Sequence, residues 1–367
     1  MKLILTRDIL LRPLQLVSGV VERKQTLPIL SNILVAVEKD NMTVTATDLE
    51  VELIVTVPLD KPSETGKATL PARKLLDICR ALPDGAAVEL SVEKERGVLR
   101  SGKGRFALAT LPAAEFPALE QLQPEAEFTV PQAQLRRQLE RTQFAMAQQD
   151  VRYYLNGMLI ELKPERMITV ATDGHRMALC DTQARHPCKQ DKQVILPRKG
   201  VLELQRVLQE QEGEVTVQIT GNHARFVVGA VTLTSKLIDG RFPDYQRVLP
   251  RMDDKVIEAA REPLRQALVR TSVLSNEKFR SVHMQFKPGE LHLHTHNPEQ
   301  EEAEEDIAID YQGEPIEVGF NANYLLDALN AISQEKVRIY LTDSNSSAQI
   351  EGVETDGCKY VVMPMRL

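Results

Sequence analysis

The chain has 367 residues, 43% hydrophobic and 26% charged, with a net charge of −7. That length exceeds one ordinary domain and the composition supports packed cores under a charged surface. No run approaches the ~18 apolar residues of a membrane span, and Lys2, Arg7 and Asp8 come too early for a secretory leader. The expectation is a cytoplasmic protein with no membrane partner. Cys79, Cys180, Cys188 and Cys358 show no C-x-x-C spacing. That argues against zinc and against a disulfide scaffold, so four reduced thiols in or near cores are expected.

The predicted elements repeat along the chain. A helix is predicted over 6–21, with Leu10, Leu14, Val17 and Val21 on one face and Pro13 expected to bend or break it. A second is predicted over 71–82, carrying Leu75, Leu76, Ile78 and Leu82, with an alternating strand over 88–92. The pattern returns as a helix over 131–147 (Leu135, Leu139, Thr142, Met146), one over 197–209 (Val201, Leu202, Leu204, Leu208) and a strand over 215–219. It returns again over 261–276 (Leu264, Leu268, Thr271, Ser275), 322–332 (Leu325, Leu326, Ala328, Ile332) and 337–341. Between the helices, Val44-Thr45-Ala46-Thr47-Asp48 matches Val170-Ala171-Thr172-Asp173 and, more loosely, Leu293-His294-Thr295-His296-Asn297. Asp48, Asp173 and Asn297 are 125 and 124 residues apart. Matches at nearly one offset imply a triplicated α+β unit, with domains expected over 1–125, 126–252 and 253–367.

Charge is distributed unevenly. The six predicted helices carry fourteen Lys/Arg against six Asp/Glu in a chain that is acidic as a whole. Were these helices to share one concave surface, it would suit the phosphates of duplex DNA without reading bases. Few aromatics accompany the cations, apart from Tyr153-Tyr154, which favours a duplex over single strands. A basic strand-like segment, Arg100-Ser101-Gly102-Lys103-Gly104-Arg105-Phe106-Ala107-Leu108, lies in the first unit, and an acidic one over 299–306 lies in the third. Opposite charge at opposite ends favours head-to-tail association.

No catalytic constellation emerges. Asp173-Gly174-His175 is too local for an acid–base pair, and Gly66-Lys67 lacks the rest of a phosphate-binding loop. His292, His294 and His296 alternate on a predicted strand, which sets three imidazoles on one face; a solvated face is the favoured reading and an adventitious metal site the alternative. A non-enzyme with no cofactor and no bound metal is expected.

Several stretches are more specific: Thr26-Leu27-Pro28-Ile29-Leu30, Gln149-Asp150-Val151-Arg152-Tyr153-Tyr154-Leu155-Asn156-Gly157-Met158, and Ala171-Thr172-Asp173-Gly174-His175-Arg176. Asp239-Gly240-Arg241-Phe242-Pro243-Asp244-Tyr245, Leu274-Ser275-Asn276-Glu277-Lys278-Phe279-Arg280 and Tyr360-Val361-Val362-Met363-Pro364-Met365-Arg366-Leu367 follow in order. Together they resemble the β subunits of bacterial DNA polymerase III, the sliding-clamp family, over the whole chain. The resemblance implies three clamp-type domains with helices inside and sheets outside, in a head-to-tail homodimer closing into a six-domain ring. It implies a processivity factor that encircles duplex DNA, is placed there by a clamp loader, and tethers DNA polymerases and repair proteins through short linear peptides. A DNA-binding adaptor that does not encircle is the alternative, separable by topology.

Carried over by position, DNA contacts would fall on Lys24, Arg73, Gln149, Arg152, Tyr153, Tyr154, Arg198 and Lys199. Peptide contacts would fall on Leu155, Thr172, Gly174, His175, Arg176 and Met177, then Pro243, Arg247, Val248 and Phe279. The remainder of that set is Asn321, Tyr324, Ser347, Val361, Val362, Met363, Pro364, Met365 and Arg366, with Asn345 standing where an apolar wall is expected. The dimer contact would use Phe106, Leu108, Val273 and Leu274, flanked by Arg96, Lys103 and Arg105 facing Glu299, Glu301, Glu302, Glu304 and Glu305.

Overall fold

The computed structural model describes residues 1–22, 27–60, 63–93, 95–117, 119, 123–183, 191–208, 212–249 and 255–365. Among them one order of elements, strand–helix–four strands–helix–three strands, occurs three times. The first set is β1 (Lys2–Thr6), α1 (Arg7–Val17), β2 (Asn32–Glu38), β3 (Asn41–Thr47), β4 (Val51–Pro58), β5 (Gly66–Pro71), α2 (Ala72–Ala81), β6 (Ala87–Glu93), β7 (Arg96–Ser101) and β8 (Gly104–Ala109). The second is β9 (Ala126–Pro131), α3 (Gln132–Thr142), β10 (Gly157–Lys163), β11 (Arg166–Thr172), β12 (Arg176–Gln183), β13 (Lys192–Pro197), α4 (Arg198–Val207), β14 (Glu214–Ile219), β15 (His223–Val228) and β16 (Val231–Lys236). The third is β17 (Lys255–Ala260), α5 (Arg261–Ser272), β18 (Ser281–Lys287), β19 (Glu290–His296), β20 (Glu302–Ala308), β21 (Ile316–Asn321), α6 (Ala322–Ala331), β22 (Lys336–Leu341), β23 (Ala348–Gly352) and β24 (Cys358–Val362).

The helices are shorter than their periodicity predicts, in the same way each time. Val21, Met146 and Ser275 keep the spacing of their sets and are buried, yet each lies beyond the end of its helix. Periodicity reports burial, and the chain turned before the helix could supply it. Pro13 does not break α1. It lies inside the helix and is buried with Leu10, Leu14 and Val17. Arg7 and Arg261, which open α1 and α5, play matching parts. Arg7 donates from Nε to the Cys79 carbonyl at 3.0 Å, near the end of α2, and Arg261 from Nε to the Gln334 carbonyl at 2.9 Å, just past α6. Each sets a cation where helix carbonyls lack partners.

The chain forms two compact units that cut across the repeats: Met1–Arg136 with Lys199–Leu237, and Arg137–Arg198 with Ile238–Leu367. Sheet pairing explains the division. In the first unit an eight-stranded antiparallel sheet runs β5-β2-β3-β4-β16-β15-β14-β9, joined where Leu53 faces Leu233. In the second, the order is β13-β10-β11-β12-β24-β23-β22-β17, joined where Met177 faces Val361. Each sheet thus takes four strands from one repeat and four from the next. The other two sheets have four strands each, β1-β6-β7-β8 in the first unit and β20-β19-β18-β21 in the second. Within the first unit α1 packs on α2, β3 and β4; within the second α5 packs on α6 and on β18, β19 and β20.

The cysteine expectation needs correction. Cys180 and Cys358 face each other across β12 and β24 and are joined as a disulfide. Partners 178 residues apart leave no local spacing to read. Cys79 is a buried free thiol whose pKa burial pushes up to about 11, and Cys188 lies outside the described residues. Among the described residues no helix is long and apolar enough to cross a membrane.

Candidate functional site

The turn joining β11 to β12 organises the second unit's principal groove. The Asp173 carboxylate accepts from the backbone N–H of His175 (2.9 Å) and Arg176 (3.0 Å), and the Thr172 hydroxyl accepts from Gly174 N–H at 3.1 Å. This Asx turn needs a left-handed residue, supplied by Gly174 at φ +88°. A Cβ there would also meet the Arg152 guanidinium at 2.8 Å. The first repeat builds the same turn: Asp48 accepts from Glu50 (2.9 Å) and Val51 (2.7 Å), and Leu49 takes φ +78°. In the third repeat Asn297 accepts from Glu301 N–H at 2.9 Å, with Gln300 at φ +65°. Asp48 and Asp173 are therefore one structural device used twice, whereas Asn297 closes a longer turn, accepting from four residues on with the left-handed residue at the third.

Beside this turn is a groove of about 230 Å³. The structure brings into it ten of the expected peptide residues: Leu155, Thr172, Gly174, Arg176, Met177, Pro243, Val248, Ser347, Val361 and Met363. Arg152 and Tyr154, expected on DNA, line it too, as do Phe242, Asp244 and Tyr245, which sequence reasoning did not single out. The aromatics flanking Pro243 were the available signal, since an apolar loop pair next to proline needs a surface to cover. The Tyr245 hydroxyl is hydrogen-bonded to the buried Glu161 carboxylate, and burial pushes its pKa up. Val362 points away from the groove, because side chains alternate along β24 and Val361 takes the groove face. Asn345 is not in the wall. It is exposed, in a turn where its N–H donates to Asp343 at 2.8 Å.

The other expected peptide residues form a neighbouring patch. Arg176 donates to Asp173 (3.1 Å), to Asp327 and to the Phe144 carbonyl (2.8 Å), and its guanidinium lies 4.5 Å from the Tyr324 ring centre. Asn321 caps α6 and donates to the Phe279 carbonyl at 3.1 Å, leaving the Phe279 ring half exposed. Met363 N–H donates to His175 and Met365 N–H to Gly319. Arg247 pairs with Asp244 at 2.9 Å and is largely exposed. Pro364 lies between these anchored residues, and Arg366 is outside the described residues.

The expected DNA residues differ in availability. In the loop before β10, Gln149 takes φ +55° and Tyr153 is exposed, its ring 5.8 Å edge-on from Tyr154. Arg152 holds Asp150 through contacts of 2.8 and 3.0 Å, and that hydrogen bonding lowers the Asp150 pKa to about 2. Lys199 is tied to Asp48 and Glu22, while Arg73 is exposed on α2 with no ion pair among the described residues. Arg198, half-buried, opens α4, and Lys24 lies outside the described residues. Other helix cations are also paired: Arg7 with Asp8 and Asp84, Arg137 with Asp356, Arg265 with Glu262, and Arg270 with Glu305. Counting helix charges thus overstates the free positive surface.

At the sheet edges, Phe106 is half-buried on β8, Leu108 on the same strand is already buried in its own chain, and Arg105 reaches Glu93 at 3.6 Å. Arg96 and Lys103 are exposed nearby. On the other edge Glu299, Glu301, Glu302 and Glu304 are exposed, while Glu305 is already engaged by Arg270. Val273 is 71% exposed at the end of α5, with half-buried Leu274 beside it.

Thrice-repeated βα units joined edge to edge into long sheets, with an apolar groove at one joint, are the architecture of a sliding clamp. The N-terminal, central and C-terminal domains of the DNA polymerase III beta subunit match residues 1–120, 129–244 and 246–366, and the chain belongs to that family. It is 52% identical to the beta sliding clamp of Pseudomonas aeruginosa over 361 residues, covering 98% of each chain. It is likewise 52% identical to that of Escherichia coli K12 over 367 residues, covering 100% of each. Solved structures agree: a P. aeruginosa sliding clamp with ligand superposes at TM-score 0.97 and 51% identity, covering 100% of both chains. A Bartonella birtlesii clamp bound to griselimycin does so at 0.97 and 37%, again over 100% of both.

Proposed function

We propose that this chain pairs head to tail with a second copy into a closed ring around duplex DNA, and so holds a replicative polymerase at its template. The observation that carries this is the pattern of used and unused strand edges. Both eight-stranded sheets are made by the third hairpin strand of one repeat (β4, β12) pairing with the last strand of the next (β16, β24). The remaining strands of those two kinds are β20 and β8, and both are sheet edges. Pairing β20 of one copy with β8 of another repeats the same joint, and two such joints close a two-chain ring. Charge fits this pairing, with Glu302 and Glu304 on one edge and Arg96, Lys103 and Arg105 beside the other. The charges set register, while Phe106, Val273 and Leu274 supply the apolar contact.

Inside the ring, Arg73, Arg198, Lys199, Lys24 and the 149–154 loop would meet phosphates without reading sequence. The groove beside Gly174 would take short linear peptides from polymerases, repair proteins and the clamp loader, its Met177 and Met363 adapting to different side chains. Such a protein holds its partners without catalysing a reaction.

Sedimentation on dilution tests the joint. The wild-type chain should run at twice its 41.2 kDa, and the Val273→Ala, Leu274→Ala double variant should dissociate at far higher concentration. An unchanged dissociation constant would remove this apolar pair from the interface.

A further inference from the structure

The histidines of the third repeat are not arranged as their alternation on one strand suggests. Along β18 and β19 the buried residues are Val282, Met284 and Phe286, and Leu291, Leu293 and Thr295, leaving every histidine on the opposite face. His292 leaves the group, its Nδ1 lying 2.7 Å from the Asp306 carboxylate. His283 replaces it, because β18 sets His283 directly across from His294. The rings of His283, His294 and His296 form a nearly equilateral triangle, with centres 5.8, 5.7 and 5.7 Å apart.

We propose that His283, His294 and His296 bind a divalent transition ion of the zinc class on the face of this sheet opposite its buried side chains. Three imidazoles on one tetrahedral zinc, with nitrogens at ~2.1 Å, have ring centres roughly 5 Å apart. The triangle is therefore less than an ångström too wide. As the side chains stand, no three His, Cys, Asp or Glu groups among the described residues are arranged to hold a metal. Rotation of surface rings supplies the missing convergence, since none of the three is locked in the core. Glu304 and Glu302 lie opposite His294 and His296 in the pairing with β20 but belong to the edge proposed to meet a second copy, so water completes the coordination. The donor set of imidazoles with water favours zinc, nickel or copper over magnesium or calcium, which require mostly oxygen.

Calorimetric titration of zinc into the chelator-treated full chain at about pH 7.5 tests this, with cobalt absorption reporting ligand geometry. One ion per chain should bind. His283→Asn and His294→Asn should each weaken it by about tenfold or more. His292→Ala, on the same strand but paired with Asp306, should leave it unchanged. Circular dichroism confirms that each variant remains folded. Absence of saturable binding in the wild type overturns the proposal, as does equal binding by a variant lacking all three histidines.

Discussion

Arg176 lies with its guanidinium 4.5 Å from the ring centre of Tyr324 and 5.5 Å from that of Phe144, while donating to Asp173, Asp327 and a backbone carbonyl. Its side chain is 14% exposed, so these contacts are poorly screened. Arg176→Ala should cost about 2 kcal/mol by urea unfolding, since it removes the side-chain partner of Asp173, which keeps its backbone N–H donors, and empties a cation–π stack. It should also weaken binding of a polymerase-tail peptide by fluorescence anisotropy, and Arg176→Lys should restore only part, because the fork is lost. Wild-type behaviour in Arg176→Ala would show that the groove wall stands without it. The pair Asp150–Arg152 answers to pH. With its pKa lowered to about 2 by Arg152, Asp150 contributes to holding the loop above the ordinary aspartate value of ~3.9, and the contribution is lost as pH falls through about 2. Carboxylate titration by NMR should find that low midpoint, and one near 4 would mean that Arg152 swings free. Individual identities such as Gly174 and Arg176 were legible as motif residues, whereas Met177 entered by position from the family resemblance. The turn shared by Leu49 and Gly174 was not, because leucine gives no hint of a left-handed backbone.

Strands and helices were legible in kind and less so in extent. Leu75, Leu76 and Cys79 lie on the buried face of α2 as an amphipathic pattern requires. Met146 follows the same logic but sits past a short turn after α3. Alternation in β19 placed its histidines on one face correctly, yet which rings gather depends on pairing with β18, a contact between strands that no single-strand pattern encodes. The helix charge count met a similar limit, because pairing is tertiary: Lys199 faces Asp48 from far away in sequence. This gives a measurable contrast in binding to a short duplex. Arg73→Ala should lower the salt slope by about 0.9, the value for one phosphate contact, whereas Lys199→Ala should change it less, its charge being shared with Glu22 and Asp48. Equal losses would mean that Lys199 abandons its carboxylates on DNA.

For the whole molecule, triplication was the strongest sequence signal, and the thrice-repeated order of elements accounts for it. The sequence repeats are not the compact units, however. A sheet such as β5-β2-β3-β4-β16-β15-β14-β9 belongs half to one repeat and half to the next, and only strand pairing shows where the chain coheres. The same rule, a last strand completing the sheet of the preceding repeat, leaves β8 and β20 as edges, which a second copy completes in the proposed ring. Encirclement is the central consequence. The decisive measurement is retention of the labelled protein, after loading, on closed circular DNA compared with the same DNA cut once. The protein should remain on the circle through a high-salt wash and leave rapidly once an end is available. Loss from both forms in proportion to salt would show simple electrostatic binding and contradict the ring.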